Sequence, residues 1–334
     1  MRYNGKKHAV FDGKMKKIKK EAIMRIFTLT LTPAFDVHAA AERFALHKES
    51  VASVTSREAG GKGINISRAL SALGEESHAF LLLGEENSAA FSSMLDADGV
   101  PYTAVAVPGR IRENITVHVK NERETRLSFR GFSASDDALD TLERRLLDCL
   151  SAGDALTFTG SVPEGISHER VLAFLVRVRA RGAHLVLDSR SLTREDLLAL
   201  RPALIKPNEE EVSAYLVDEV HSLSDCARGA RELSLSGVGS AMVSFGAEGA
   251  LLAASGHVYL ARPPKINPVS TVGAGDASIA GFLYAAKAEL PIEECLRHAV
   301  ALGTAACLTE GTRPPKREDF ERILPQVTVE SVAE

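Results

Sequence analysis

Apolar positions along the chain follow two rhythms. Short continuous runs, at Ile26 to Leu31, His78 to Leu83, Ala155 to Thr159, His184 to Leu187 and Leu204-Ile205, read as strands covered on both faces. Between them apolar residues recur at helical spacing. Such segments run from the glycine turn at 60–63 to Gly74, over Ser88 to Leu95, Asp137 to Leu150, 168–181 and 223–235, and near 275–287 and 292–308. The unit 155–188 is strand, turn, helix, strand, which is the parallel crossover. From 155 onward the alternation implies a largely parallel sheet with helices on both faces. A hairpin reads from Ser240 to Phe245 and back over Ala250 to Ala254, across Gly246-Ala247-Glu248-Gly249. Two stretches break the rhythm: residues 37–58 are alternating and polar, and 101–107 and 114–119 alternate as well. Strands of that kind have one wet face, so a separate small sheet is expected from about 36–58 and 100–130.

Composition adds limits. The chain has 334 residues, 45% hydrophobic and 25% charged, which allows one large α/β domain or two smaller ones. A net charge of −4 gives no support for nucleic-acid binding, and no apolar run is long enough to span a membrane. Cys149, Cys226, Cys295 and Cys307 lie far apart and show no paired spacing, so neither a zinc site nor a disulfide framework is suggested. Reduced thiols in a cytoplasmic protein are the default reading. Residues 1–24 differ from the rest, with eight Lys/Arg against two acids, leaving 32 basic against 42 acidic residues elsewhere. They read as a basic tail outside the fold, and no apolar core follows them as a secretory signal would require. The expected organisation is this tail, one domain over 25–328, and a C-terminal tail over 329–334.

Candidate chemistry centres on Thr271-Val272-Gly273-Ala274-Gly275-Asp276, where a loop passes into a helix of small residues. Two glycines allow close backbone approach to a ligand. The helix start leaves N–H groups without internal partners and carries partial positive charge. Gly273, Ala274 and Gly275 would thus form an anion hole, with Asp276 beside it as an ionised carboxylate able to take a proton from a hydroxyl. The plainer reading is a glycine turn with Asp276 capping the helix. A dinucleotide fingerprint fits poorly, because serine stands where its last small residue belongs, and no Gly-x4-Gly-Lys-[Ser/Thr] loop occurs.

Other segments carry candidates of the same kind. Asp36 follows the first strand, where open α/β sheets place ligand contacts. Gly60-Gly61-Lys62-Gly63-Ile64-Asn65 resembles an anion-binding entry turn, with Lys62 and Asn65 as donors. Arg112 could clamp a phosphate with its planar fork, or simply be a solvated loop arginine. Asn208 with Glu211 three residues later fits a helix capping box.

These motifs occur in a fixed order: Thr30-Leu31-Thr32-Pro33-Ala34-Phe35-Asp36, Gly60 to Asn65, Arg112-Glu113-Asn114, Thr159-Gly160-Ser161-Val162-Pro163, Lys206-Pro207-Asn208-Glu209-Glu210-Glu211, Val243 to Ala250, and Thr271 to Asp276. The set resembles the PfkB family of ribokinase-like sugar kinases over residues 25–328, nearest its 1-phosphofructokinase and tagatose-6-phosphate kinase group. That resemblance implies a ribokinase-like α/β fold, with a central, mostly parallel sheet and a small β-sheet lid that also pairs two subunits into a homodimer. It implies Asp276 as catalytic base and Gly273, Ala274 and Gly275 as the anion hole. Asp36, Gly61 and Asn65 would meet the sugar's hydroxyls, and Lys62, Arg112 and Asn114 the region of its phosphate; Gly60 and Ser161 would also be substrate-binding. Lys206, Asn208 and Glu211 would serve the ATP phosphates and, through water, Mg²⁺, with no direct protein ligand to the metal. Ser244, Gly246 and Gly249 match the nucleotide-side loop, and Ala299, Gly303 and Ala306 the small residues beside adenine.

The implied activity is ATP-dependent phosphorylation of a ketohexose monophosphate, fructose 1-phosphate first, with tagatose 6-phosphate or fructose 6-phosphate as alternatives. A non-catalytic sugar-phosphate sensor is the rival from another class. Three positions depart from the family pattern: Thr32 replaces the usual Asn, Asp188-Ser189-Arg190-Ser191 replaces Asp-Thr-Ser-Gly, and Gly131-Phe132 stands in place of Gly-Pro.

Overall fold

A computed structural model describes residues 24–120, 122, 124–216 and 222–332. The basic stretch expected as a tail therefore lies, apart from Met24, outside the described residues. Fourteen strands are assigned among those described: β1 Ile26–Thr30, β2 Ala34–Ala41, β3 Ala52–Gly60, β4 Ser77–Gly84, β5 Tyr102–Val107, β6 Arg112–Val119, β7 Thr125–Ser128, β8 Ala155–Thr159, β9 His184–Asp188, β10 Leu204–Ile205, β11 Ser240–Ser244, β12 Ala250–Ala254, β13 His257–Arg262 and β14 Thr328–Ser331.

Ten of them form one sheet in the order β14-β13-β12-β11-β10-β9-β8-β1-β4-β5. Pairing is parallel from β5 through to β11, then antiparallel out to β14. The central strands carry apolar side chains on both faces because both are covered. Leu29 of β1 and Phe158 of β8 are fully buried with Phe91, Leu142 and Phe174 from helices on one side. Ile26 of β1 and Met242 of β11 pack with Ile66, Leu70, Ile279 and Leu302 on the other. This is the layered α/β arrangement the sequence rhythm implied.

The small sheet has the order β3-β2-β6-β7. β2 is mostly buried, whereas Ala52 to Thr55 of β3 stand in solvent. Two expectations need correction. Residues 102–107 do not join the small sheet: β5 is the edge strand of the large one, paired with β4. Its half-exposed edge position gives the same alternation that a lid strand would show. The chain does not leave the fold at 329 either, because β14 pairs with β13, with Val329 opposite Ala261. Val329 packs on the core beside Tyr259.

The parallel strands β1, β8 and β9 end at Thr30, Thr159 and Asp188, and Lys206 follows β10. Their carboxyl ends open toward the small sheet, and all four residues line one cleft. In open α/β sheets, ligands bind at this end of the strands.

Candidate active site

Gly273 stands at the N-terminus of the helix Ala274–Lys287 in the left-handed region, at φ 82°. At this turn the Ala277 N–H donates to the Gly273 carbonyl at 2.9 Å, the first bond of the helix. The amides of the first turn before it therefore have no intrahelical acceptor. Gly275 brings the backbone close to the lysine: a Cβ there would lie 3.2 Å from Lys206 Nζ and press that ammonium aside.

Asp276 follows in the same turn and is buried, accepting a hydrogen bond from Asn65 Nδ2 at 2.8 Å. Burial pushes its carboxyl up to about 7, and the nearby Asp188 adds to this. The Asn65 hydrogen bond and the Lys62 and Lys206 ammonium groups only partly oppose them. The expectation of a simply ionised carboxylate is thus corrected. The dry site outweighs the positive helix end and poises the group near neutrality, where a general base works best.

Lys62 opens the helix Lys62–Ala72 and donates to Asp188 Oδ2 at 3.0 Å. Lys206 Nζ lies 3.6 Å from the same oxygen. Burial disfavours the Lys62 ammonium, yet the Asp188 and Asp276 carboxylates outweigh that and leave its pKa above the ordinary value. Lys62 therefore belongs with Asp276 and Lys206, at the end of the cleft built by the large sheet.

Across the cleft stand residues of the small sheet. Asp36 of β2 lies opposite Asn114 of β6 in the ladder and accepts from its Nδ2 at 2.9 Å. Gly60 leaves room for that carboxylate, because a Cβ would fall 2.1 Å from Asp36 Oδ2. Gly61, at φ 130°, turns the chain from β3 into the helix. Arg112 opens β6 and reaches the Thr32 carbonyl at 3.4 Å. Burial lowers its pKa, Asp36 opposes that shift and Arg126 adds to it. Ser161 bonds the Thr32 hydroxyl at 2.9 Å and lines the same cleft.

Asp36 and Arg126 act on Arg112, whereas Lys62 bonds Asp188; all three cations, Lys62, Arg112 and Arg126, line the one cleft. Arg126, on β7, sits 3.8 Å from Asp36 Oδ1. Nothing in the local pattern distinguished it from other lid arginines; only the strand register brings it inward. Asp188 and Thr312 were also passed over as site residues. Asp188 had one legible signal, an acid closing an apolar strand, whereas Thr312 arrives from a loop distant in sequence.

A cleft of about 640 Å³ gathers Asp36, Gly61, Lys62, Asn65, Arg112, Asn114, Ser161, Lys206, Asn208, Glu211, Gly273, Gly275 and Asp276. Asn208 and Glu211 form a reciprocal capping box, and Glu211 Oε1 also takes Arg190 Nε at 2.6 Å. Arg190 and the peptide N–H of Asn208 hold the Glu211 carboxyl below its ordinary range against the opposing effect of burial. Six expected nucleotide-side residues, Ser244, Gly246, Gly249, Ala299, Gly303 and Ala306, do not line this cleft. Ser244 bridges to Asn208, and Gly246 and Gly249 shape the turn between β11 and β12. A Cβ at Gly249 would collide with the Ala261 carbonyl at 1.9 Å. Gly303 lets its helix lie against the first turns of the helix Ala274–Lys287, since a Cβ would meet Ser278 Oγ at 2.3 Å and the Ala274 carbonyl at 3.0 Å.

Among the described residues no group of three or more His, Cys, Asp or Glu is arranged to hold a metal, and no helix is long and apolar enough to cross a membrane. Hydrogen-bonding capacity is left over in the cleft. Asn65 Oδ1, Arg112 Nε and Thr159 Oγ1 are buried without a partner among the described residues. An unsatisfied buried group costs about 1–3 kcal/mol, and a polar ligand in the cleft would supply these partners.

Similarities to known proteins agree with this geometry. The model of the pfkB family carbohydrate kinases matches residues 31–319. The 1-phosphofructokinase of Rhodobacter capsulatus is 33% identical over 311 residues, covering 92% of this chain and 98% of that protein. The 1-phosphofructokinase of Vibrio cholerae is 30% identical over 311 residues, covering 92% of this chain and 97% of that protein. Phosphofructokinase-2 from Escherichia coli, solved in complex with fructose-6-phosphate, superposes with a TM-score of 0.85 at 28% identity, covering 91% of this chain and 99% of that one. With the motifs assembled in one cleft on this fold, the chain belongs to the pfkB family of carbohydrate kinases.

Proposed function

We propose that the protein transfers the γ-phosphoryl group of ATP to a ketohexose monophosphate, converting fructose 1-phosphate into fructose 1,6-bisphosphate. One observation carries this reading. A buried carboxyl poised near pH 7 at a helix N-terminus faces a second, guanidinium-lined end of the same cleft. Arg112 and Arg126 bind the phosphate already on the sugar, and Ser161 bounds that subsite. Asp36, with Asn114 behind it, and Asn65 orient the sugar hydroxyls. Asp276 accepts the proton of the attacking hydroxyl. The amides of residues 273–275, Lys62 and Lys206 stabilise the charge that spreads over the transferring group. Asp188 holds both ammonium groups in place until the nucleotide phosphates compete for them.

The residues present fit such a nucleotide. Lys206 and the open helix turn offer cationic and N–H donors on one side of the cleft. Magnesium would enter with ATP and neutralise the leaving phosphates. Because both Glu211 carboxyl oxygens are already bonded within the protein, Glu211 would reach the ion through water. The lid also suits pairing of two subunits: Val51 and Val54 are 81% and 66% exposed on β3 and the turn before it. We assign the homodimer contact to this face.

A second reading, phosphorylation of fructose 6-phosphate, is favoured by the likeness to phosphofructokinase-2. Purified protein with MgATP, tested on fructose 1-phosphate, fructose 6-phosphate and tagatose 6-phosphate while ADP is followed, separates the readings. Fructose 1-phosphate is expected to give the highest kcat/KM. A higher value with either 6-phosphate would transfer the assignment to that sugar, and binding without ADP would leave a sensor.

A further inference from the structure

We propose that Glu58 is a positioning residue for the acceptor site: by engaging the Thr312 hydroxyl, it keeps Asp36 free to receive a hydroxyl of the sugar. The inference rests on the sugar-phosphate reading of the cleft and adds residues that reading does not use. Asp36 and Glu58 face each other directly across the β2–β3 ladder. Like charges directly opposed on antiparallel strands repel. Both are buried, at 6% and 8% exposure, so water does little to screen them.

Separate donors make the pair tolerable. Asp36 Oδ1 takes Asn114 Nδ2, with Arg126 nearby. Glu58 Oε1 takes Arg313 Nε at 3.2 Å, and its Oε2 lies 3.9 Å from Arg68 Nη1. Arg68 is itself buried and pairs with Asp98 at 2.9 Å, while its Nη1 donates to the Thr312 carbonyl at 3.3 Å. The base of β3, the helix Lys62–Ala72 and the loop holding Thr312 and Arg313 are thereby tied at one point.

Thr312 is the link between the two carboxylates. Its hydroxyl has one proton to give. It lies 2.9 Å from Glu58 Oε2 and 3.5 Å from Asp36 Oδ2, so the proton goes to Glu58. Asp36 Oδ2, beside the glycine at position 60 that makes room for it, keeps an unspent lone pair. Asp36 and Thr312 both line the cleft, whereas Glu58 does not. Glu58 thus acts through its neighbours rather than on the substrate.

The test compares wild type with Glu58→Gln, Thr312→Val and Thr312→Ser. It measures fructose 1-phosphate affinity by calorimetry, KM for each substrate, kcat and Tm. In Glu58→Gln the new amide can donate to Asp36 and occupy the acceptor, and Thr312→Val leaves two facing carboxylates without the shared hydroxyl. Both are expected to weaken sugar-phosphate affinity and raise its KM roughly tenfold or more, the scale of one hydrogen bond to a charged group. KM for ATP and kcat should stay within about threefold, because neither residue touches the transferring group. Thr312→Ser, which keeps the hydroxyl, should restore the sugar affinity. An unchanged sugar affinity in Glu58→Gln and Thr312→Val, with only Tm lowered, would overturn the proposal and leave a structural ion pair. Should Glu58→Gln not fold, the near-isosteric Thr312→Val decides alone. Wild-type binding without turnover would sink the kinase reading, while the affinity ratios would still decide the role of Glu58.

Discussion

Asp276 stands on the large sheet and the helices packed against it, while Arg112 and Arg126 stand on the four strands of the small sheet. The first end is the more buried: Lys206 and Asp188 have side chains only 6% and 4% exposed, with Lys62 at 40% on its rim. There a charge is felt strongly, and burial pushes the Asp276 carboxyl up to about 7 from its ordinary 3.8. The second end is half wet, with Arg126 at 46% exposure on the mostly exposed edge strand β7. In the proposed reading, chemistry that depends on a tuned pKa is placed on buried elements of the large sheet, and recognition of the sugar's phosphate is left to guanidinium groups on the small one.

This contrast can be broken at either end. The largest effect is expected from Asp276→Asn, which should lower kcat by roughly 10²–10⁴-fold, the usual contribution of a positioned base. Calorimetry should show little change in sugar-phosphate affinity. At the other end Arg112→Ala should raise the sugar-phosphate KM by about ten- to a hundredfold with kcat nearly intact, as loss of a charge-assisted bond would. Arg126→Ala should do the same to a smaller degree, being more exposed and screened.

Stability gives a smaller signal with a definite sign. The folded pKa of Asp276, about 7, lies above its ordinary 3.8. Between those values the folded chain holds a proton that the unfolded chain has lost. The stabilisation is therefore full below pH 4 and fades as pH rises through 7. From pH 5 to pH 8, wild type should lose roughly 2.5 kcal/mol relative to Asp276→Asn, read as a narrowing or reversal of their Tm difference. The smallest effect, none in Tm or turnover, is expected from deleting residues 1–23.

The large sheet was legible because its strands are buried on both faces and read as unbroken apolar runs, and Asp276 because glycines announce the turn that holds it. The small sheet was harder to bound. β5 is an edge strand whose alternation matches that of β6, so only hydrogen bonding to β4 separates them. Side-chain pairing was harder still. Lys62 reaches Asp188, 126 residues away in sequence, and no spacing rule foretells it. The shift of Asp276 was hidden for the same reason, since it arises from burial by distant segments. Gly303 matched a nucleotide position in the sequence, yet its contacts are those of helix packing.

The most direct measurement is kcat/KM for the sugar phosphate from pH 5 to 9 in wild type and Asp276→Asn. The phosphate's own ionisation is common to both, so the difference between the profiles isolates the carboxyl. Wild type should fall with unit slope below a pKa near 7 that the variant lacks, on top of its much lower rate. Profiles of the same shape and height would show that Asp276 is not the base and that the more buried end of the cleft does not perform the transfer.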